Sequence, residues 1–160
     1  MGEEVPVDAG KTQRSRHPIL FFSKREKEAI VEAIRRAELR TSGEIRVHLE
    51  RHVSEDLTLH AQKVFEKIGM TRTADRNGVL IFLSVADHRF VVLGDEGIHS
   101  KVSPSFWQEI ASILATHFGQ NRFAEGIIRA ADTVGQLLAA HFPCTHRDIN
   151  ELPDTISCSL

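Results

Sequence analysis

One continuously apolar segment limits what this chain can fold into. The segment runs from Val79 to Val85, and Ser84 is its only polar residue. It is far shorter than the roughly 20 residues of a membrane-spanning helix, but it has the usual length of a β-strand. Because the side chains of a strand alternate between two faces, both faces of this one must be covered. The sequence therefore predicts a central strand, with Phe82 in the hydrophobic core.

Two further strands are predicted beside it. Residues 44–50 alternate strictly between polar and apolar side chains, which is typical of a strand with one buried face. Ala86-Asp87-His88 reads as a short turn, after which Arg89 to Leu93 returns as a hairpin partner. The third strand is therefore expected to run antiparallel to the central one.

Four helices surround these strands in the sequence. Ser23 and Glu26 form a capping box, so the first helix is expected to begin at Ser23. Apolar residues at helical spacing predict further helices at about 57–68, 104–118 and 122–140. Pro104 suits the first position of its helix.

The predicted element order is α-β-α-β-β-α-α. The helix between the first two strands is a crossover connection, so those strands should be parallel and joined with right-handed topology. The expected fold class is α/β, a small mixed β-sheet with helices packed on both faces. Residues 19–143 are expected to form this domain, with 1–18 as a disordered tail and 144–160 as a C-terminal tail.

Composition excludes several classes of function. The chain has 20 basic and 22 acidic residues, a net charge of −2, so it has no overall attraction for nucleic acid or anionic lipid. No apolar run is long enough for an integral membrane segment. Cys144 and Cys158 are too few for a disulfide framework, so a reducing, cytoplasmic location is expected.

The predicted topology brings polar residues from three parts of the chain to one edge of the sheet. Two parallel strands begin at this edge and the antiparallel third strand ends there. Carboxylate and carbonyl oxygens are the ligands that Ca²⁺ and Mg²⁺ prefer. A divalent-cation site is therefore predicted from five residues, with two basic residues as a phosphate or substrate clamp. The predicted ligands are Glu44, Asp75, Asn77, Asp95 and Glu96, and the clamp residues are Arg76 and Lys101.

Other motifs carry less information. With nine histidines in the chain, proximity among His48, His52 and His60 is expected by chance, and a zinc site there is a minor alternative. The chain has no dinucleotide-binding glycine motif, no P-loop and no nucleophile elbow.

Four segments carry a resemblance to a known family: Thr41 to Ile45, Arg76 to Leu80, Leu93 to Ile98 and Phe123 to Ile127. They resemble the TPM domain family, and the resemblance covers about residues 20–142. It implies an α/β sandwich, divalent-cation binding in several relatives and acid phosphatase activity in some. The chain resembles the soluble, single-domain bacterial branch of the family, and we expect it to lack the signal peptide and the membrane helix of typical bacterial relatives.

Two functions follow from these observations. The first is a non-catalytic module that binds a divalent cation and a protein partner, which the absence of a catalytic motif favours. The alternative is a metal-dependent acid phosphatase, in which the cation neutralises phosphate oxygens and positions water and Glu96 is a candidate base. The loop Gly94-Asp95-Glu96-Gly97 departs from the Gly-aromatic-Gly of many relatives, which adds carboxylates but weakens the phosphatase parallel.

Overall fold

The continuously apolar segment forms the middle strand of a mixed sheet. The computed structural model describes residues 3–6, 14–144 and 156–159 of the chain. The strands are β1 (Glu3–Pro6), β2 (Glu44–Glu50), β3 (Gly78–Ser84), β4 (Arg89–Gly94) and β5 (Ile156–Ser159). The helices are α1 (Pro18–Phe21), α2 (Lys24–Glu38), α3 (Leu57–Lys67), α4 (Glu96–His99), α5 (Pro104–Gly119) and α6 (Phe123–His141), with a 3₁₀ turn at Met70–Arg72.

The order of strands across the sheet is β1-β4-β3-β2-β5. β2 and β3 are parallel, whereas β3 and β4 are antiparallel, as the crossover and the hairpin predict. Every residue of β3 is buried. The predicted α/β class and the order of its seven main elements are confirmed, and the short helices α1 and α4 are additions to them.

Each face of the sheet is covered by its own helices. On one face, Val79, Ile81 and Leu83 pack in a cluster to which α2, α5 and α6 also contribute. On the other, Leu80 and Phe82 pack with apolar side chains of α3 and with Met70. Alternate side chains of β3 therefore anchor two separate hydrophobic layers.

The helix starts follow local hydrogen-bonding signals. The Ser23 hydroxyl accepts from the backbone N–H of Glu26, and the Glu26 carboxylate accepts from the backbone N–H of Ser23, so the predicted capping box is present. α3 begins in a similar way, because the Asp56 carboxylate accepts from the backbone N–H of Leu59 at 2.9 Å.

The two outer strands have no counterpart in the sequence-based prediction. β1 pairs antiparallel with β4, and β5 pairs in parallel with β2. Both are four residues long and join the sheet through backbone hydrogen bonds. Pairing of this kind does not require a periodic pattern of apolar residues, so the sequence gives no signal for it. Residues 1–2, 7–13, 145–155 and 160 lie outside the described residues, so the bounds of the two predicted tails stay a prediction.

Part of the predicted N-terminal tail packs against the domain. The Arg14 guanidinium donates to both carboxylate oxygens of Glu26, each at 2.8 Å. The same group lies 5.4 Å from the centre of the Phe123 ring. Arg14 therefore ties the segment before α1 to the start of α2 and to α6.

We predict that Phe82→Ala lowers the free energy of unfolding by about 3–5 kcal/mol, because it removes a large buried ring and leaves a cavity. Chemical denaturation followed by circular dichroism measures the change. Leu20→Ala is the control, since the Leu20 side chain is 66% exposed, and its effect should stay within about 0.5 kcal/mol. A loss below about 1 kcal/mol for Phe82→Ala would contradict the assignment of β3 as the core strand.

Candidate functional site

Three loops meet at the edge of the sheet where β2 and β3 begin and β4 ends. The backbone N–H of Asp95 donates to the carbonyl of Gly78 at 3.0 Å, and that of Gly97 donates to the carbonyl of Arg76 at 2.9 Å. The Asn77 side-chain amide donates to the Ser42 hydroxyl at 3.1 Å. The segments before β2, before β3 and after β4 are therefore joined by direct hydrogen bonds.

Glycine allows the closest of these approaches. A Cβ atom added to Gly97 would lie 2.1 Å from the carbonyl oxygen of Asp75 and 2.7 Å from that of Arg76. Both neighbours are backbone atoms, which cannot swing away as the end of a side chain can. The loop after β4 can therefore lie against the loop before β3 only if residue 97 has no side chain.

Arg76 binds the two acidic residues of the loop after β4. Its Nε donates to Asp95 Oδ2 at 2.7 Å and its Nη2 donates to Asp95 Oδ1 at 2.9 Å. Its Nη1 donates to Glu96 Oε1 at 3.2 Å. The hydrogen bonds with Asp95, helped by the charges of Asp95 and Glu96, hold the pKa of Arg76 above its ordinary value.

The two acids differ in their exposure. The Asp95 side chain is 6% exposed, and it also accepts from the backbone N–H of Glu96 at 2.8 Å. The Glu96 side chain is 73% exposed. Asp95 is thus a buried charge with a full set of donors, whereas Glu96 is accessible from solvent.

Asn77 is a buried polar side chain beside them. It is 1% exposed, and its backbone N–H donates to the Thr73 hydroxyl at 3.1 Å. Its side-chain oxygen Oδ1 has no hydrogen-bond donor among the described residues. The Ser42 hydroxyl, which accepts from the Asn77 amide, donates to the exposed Asp75 carboxylate at 3.4 Å. Asp75, Ser42 and Asn77 therefore form a short polar chain at this edge.

Glu44 lies farther away than the topology alone suggests. It is 3% exposed and pairs in register with Gly78, whose other neighbour across the sheet is Asp95. Glu44 and Asp95 are therefore two strand spacings apart, roughly 10 Å between their backbones. Met70 packs over Gly78, since a Cβ atom at that residue would lie 3.0 Å from the Met70 methyl group. The Met70 side chain thus packs over the strand that lies between these two residues.

Lys101 has an aromatic neighbour. Its ammonium nitrogen lies 4.5 Å from the centre of the Phe142 ring, a cation–π arrangement. The Phe142 carbonyl accepts from the backbone N–H of Ser42 at 2.9 Å, so this pair lies next to the loop before β2.

The structure thus brings Asp75, Asn77, Asp95 and Glu96 onto adjoining loops and leaves Glu44 apart. Across the described ranges, no group of three or more His, Cys, Asp or Glu side chains is arranged to hold a metal ion. The cation site predicted from the sequence therefore stays a prediction.

A cavity of about 190 Å³ opens beside the Arg76–Asp95 pair. Its wall combines these two residues with Leu93 of β4 and with Phe65 and Glu66 of α3. The ion pair is therefore reachable from solvent on the face of the sheet that α3 covers.

A second polar cluster lies at the other end of β2. His60 contacts the carboxylate of Glu50 through Nε2 and that of Glu55 through Nδ1, the latter at 2.7 Å. His48 is buried between this cluster and Phe82, with its Nε2 atom 3.7 Å from Glu50. The sequence suggested a grouping of histidines here, but it did not predict the carboxylates that bind them.

The pKa values of the two histidines move in opposite directions. Burial lowers the pKa of His48, and the charge of Glu50 offsets only part of that effect. Burial also acts to lower the pKa of His60, but the hydrogen bonds with Glu55 and Glu50 outweigh it, so the net shift is upward. His60 therefore keeps its proton to a higher pH in the folded protein than an ordinary histidine does.

The fold defines a class: a mixed five-stranded sheet between helical layers, with a loop-built polar edge where two parallel strands begin. The TPM domain family model matches residues 19–137, and the chain belongs to this family. The NMR structure of the BA42 protein from the psychrophilic bacterium Bizionia argentinensis is similar, with a TM-score of 0.84 and 43% identity over 87% of this chain and 96% of that chain. A search of curated proteins gives no match. None of the described helices is long and apolar enough to cross a membrane.

We predict that Gly97→Ala destabilises the protein by about 1–3 kcal/mol, because its methyl group would force apart the loops that carry Asp75 and Asp95. Thermal and denaturant unfolding measure the change. Gly119→Ala is the matched control, since an added methyl group there meets no atom within 4 Å, and it should be neutral or slightly stabilising. Equal losses for the two variants would contradict the close approach of the loops.

We predict that His60→Gln removes a stabilisation that depends on pH. Because the pKa of His60 is raised on folding, its contribution is present below the unfolded value near 6.5 and is lost as the pH rises through the folded value. The difference in unfolding free energy between wild type and variant should therefore shrink between about pH 6 and pH 9. The exposed His141→Gln is the control, and a His60→Gln difference that stays constant or grows with pH would contradict the assignment.

Proposed function

We propose that this TPM domain protein binds a divalent cation at the edge where its three loops meet, and that it acts as an interaction module. The observation that supports this most is the direct packing of the loop before β3 against the loop after β4. Asp75, Asn77, Asp95 and Glu96 lie on these two loops, and their oxygen atoms suit Ca²⁺ or Mg²⁺.

The proposed first ligands are Asp75, Asn77 and Glu96. Asp75 and Glu96 are exposed carboxylates, and Asn77 supplies a carbonyl oxygen that has no donor among the described residues. Such an oxygen is costly to bury without a partner, and a cation would satisfy it. Glu44, the neighbour of Gly78 on β2, is not among the proposed direct ligands. It contributes only negative charge to the surroundings of the site.

The two basic residues near this edge favour binding over phosphate hydrolysis. Phosphoryl transfer needs donors aimed at the oxygens that gain charge in the transition state. The Arg76 guanidinium is hydrogen-bonded to Asp95 and Glu96, and the Lys101 ammonium lies over the Phe142 ring. Before any metal ion binds, both basic groups that a phosphate clamp would use are thus engaged by the protein itself.

A protein is the partner that the surface supports best. Ile19 and Leu20 on α1 are 49% and 66% exposed, and they offer adjacent apolar side chains to a contact. The net charge of −2 gives no general attraction for nucleic acid.

We predict that Ca²⁺ or Mg²⁺ raises the melting temperature. At about 100 times its dissociation constant, a ligand that binds only the folded state stabilises it by about 2.7 kcal/mol, which is roughly 5–11 °C for a domain of this size. Thermal melts in chelator and in millimolar calcium or magnesium measure the shift. Asp75→Asn should reduce it strongly and Asp132→Asn, on α6, should not; the absence of any shift in the wild type would contradict the proposal.

The same preparations separate the module from the phosphatase. Hydrolysis of a generic aryl phosphate is measured with and without chelator for the wild type and for Asp75→Asn. A binding module should show no chelator-sensitive turnover. Turnover that requires metal and is lost in Asp75→Asn would contradict the binding-module proposal and would support a metal-dependent phosphatase instead.

A further inference from the structure

We propose that Arg76 is a built-in counter-ion that competes with the divalent cation for Asp95 and so sets the affinity of the site. The inference rests on the proposed cation binding and goes beyond it, because it assigns a regulatory role to a residue of opposite charge. It follows from the geometry of one ion pair, its backbone and the cavity beside it.

The ion pair occupies both oxygens of Asp95. One guanidinium nitrogen donates to Oδ2 at 2.7 Å and another to Oδ1 at 2.9 Å, which is the bidentate arrangement that matches a carboxylate in shape and charge. The backbone N–H of Glu96 also donates to Oδ1 at 2.8 Å. The guanidinium therefore occupies the side of the carboxylate from which a metal ion would bind both oxygens, and a metal ion that coordinates Asp95 in this way must displace it.

The backbone holds Arg76 in place for this contact. Its φ angle is 50°, in the left-handed region that non-glycine residues seldom adopt. This conformation is stabilised by two backbone hydrogen bonds, from Arg76 to the Thr73 carbonyl at 3.2 Å and from Gly97 to the Arg76 carbonyl at 2.9 Å. These hydrogen bonds fix the backbone conformation from which the Arg76 side chain reaches Asp95.

The two partners differ in their access to water. The Asp95 side chain is 6% exposed, so its charge is costly unless a positive charge stays beside it. The Arg76 side chain is 38% exposed, and it can move into solvent while Asp95 cannot. Cation binding at Asp95 is therefore an exchange of one positive charge for another.

The cavity between α3 and β4 gives the incoming cation a route. It reaches the ion pair directly, and the Glu66 carboxylate in its wall attracts positive charge. A divalent cation that enters there meets Asp95 and Arg76 together, and once Arg76 has moved it also gains Glu96, which Arg76 otherwise binds.

Arg76→Gly tests the inference without adding a new ligand. Glycine accepts a φ of 50° freely and removes the guanidinium. Calcium and then magnesium are titrated calorimetrically into the wild type, Arg76→Gly and the matched control Arg72→Gly. Arg72 is exposed and lies on the 3₁₀ turn, so its variant removes the same charge nearby.

We expect Arg76→Gly to lower the dissociation constant at least about tenfold, a change of 1.4 kcal/mol, and Arg72→Gly to leave it within about twofold. Arg76→Lys keeps the charge but loses the bidentate contact, so its value should fall between those of the wild type and Arg76→Gly. Adding Asp95→Asn to Arg76→Gly should abolish the gain. Melting curves without metal check that each variant is folded.

The outcomes separate this inference from the proposed function. A wild type that binds calcium together with an Arg76→Gly variant that binds no more tightly would overturn the role of Arg76 and leave the proposed function intact. Binding by Arg76→Gly but not by the wild type would support the role of Arg76 and overturn cation binding as the function of this chain. Binding by neither protein would overturn both.

Discussion

The burial of β3 on both faces is the constraint on which the rest of the structure depends. Each large apolar side chain of this strand gains roughly 1.5–3 kcal/mol by leaving water, but only if both faces are covered. One face therefore requires α2, α5 and α6, and the other requires α3 with the turn at Met70. A crossover connection joins β2 to β3, and a hairpin joins β3 to β4. Once β3 is placed in the centre of the sheet, these two connections determine which strand ends meet.

That meeting of strand ends could be predicted from the sequence, but the atoms that pair there could not. Alternation, the capping box at Ser23 and the apolar run give the elements and their order. The side-chain contacts depend on the identity of single residues. Gly78 is an example, because its lack of a side chain lets Met70 pack over β3 between the neighbours Glu44 and Asp95. The sequence therefore predicts which loops meet, but it leaves the hydrogen-bonding partners of their polar residues undetermined.

The outer strands β1 and β5 could not be predicted from the sequence, for a different reason. β1 and β5 are held by backbone hydrogen bonds to β4 and β2, and any sequence can supply these. Arg14 adds an anchor through Glu26 and aromatic rings, which no apolar periodicity reveals. Hydrophobic patterns in a sequence indicate which side chains are buried. They carry little information about segments that are held mainly by backbone hydrogen bonds.

Opposite ends of the sheet each carry a pair of carboxylates bridged by one basic side chain, but the two bases differ in chemistry. At each end one basic side chain bridges two carboxylates: Arg76 joins Asp95 and Glu96, and His60 joins Glu50 and Glu55. The hydrogen bonds raise the pKa of both bases, but only the pKa of His60 starts from an ordinary value near 6.5, whereas the Arg76 guanidinium keeps its charge throughout the physiological range. A guanidinium that stays charged holds its carboxylates at every physiological pH, whereas an imidazole releases them as the pH rises through its pKa. The ion pairs at the loop edge are therefore insensitive to pH wherever the carboxylates stay ionised, whereas those at the histidine end weaken as His60 loses its proton.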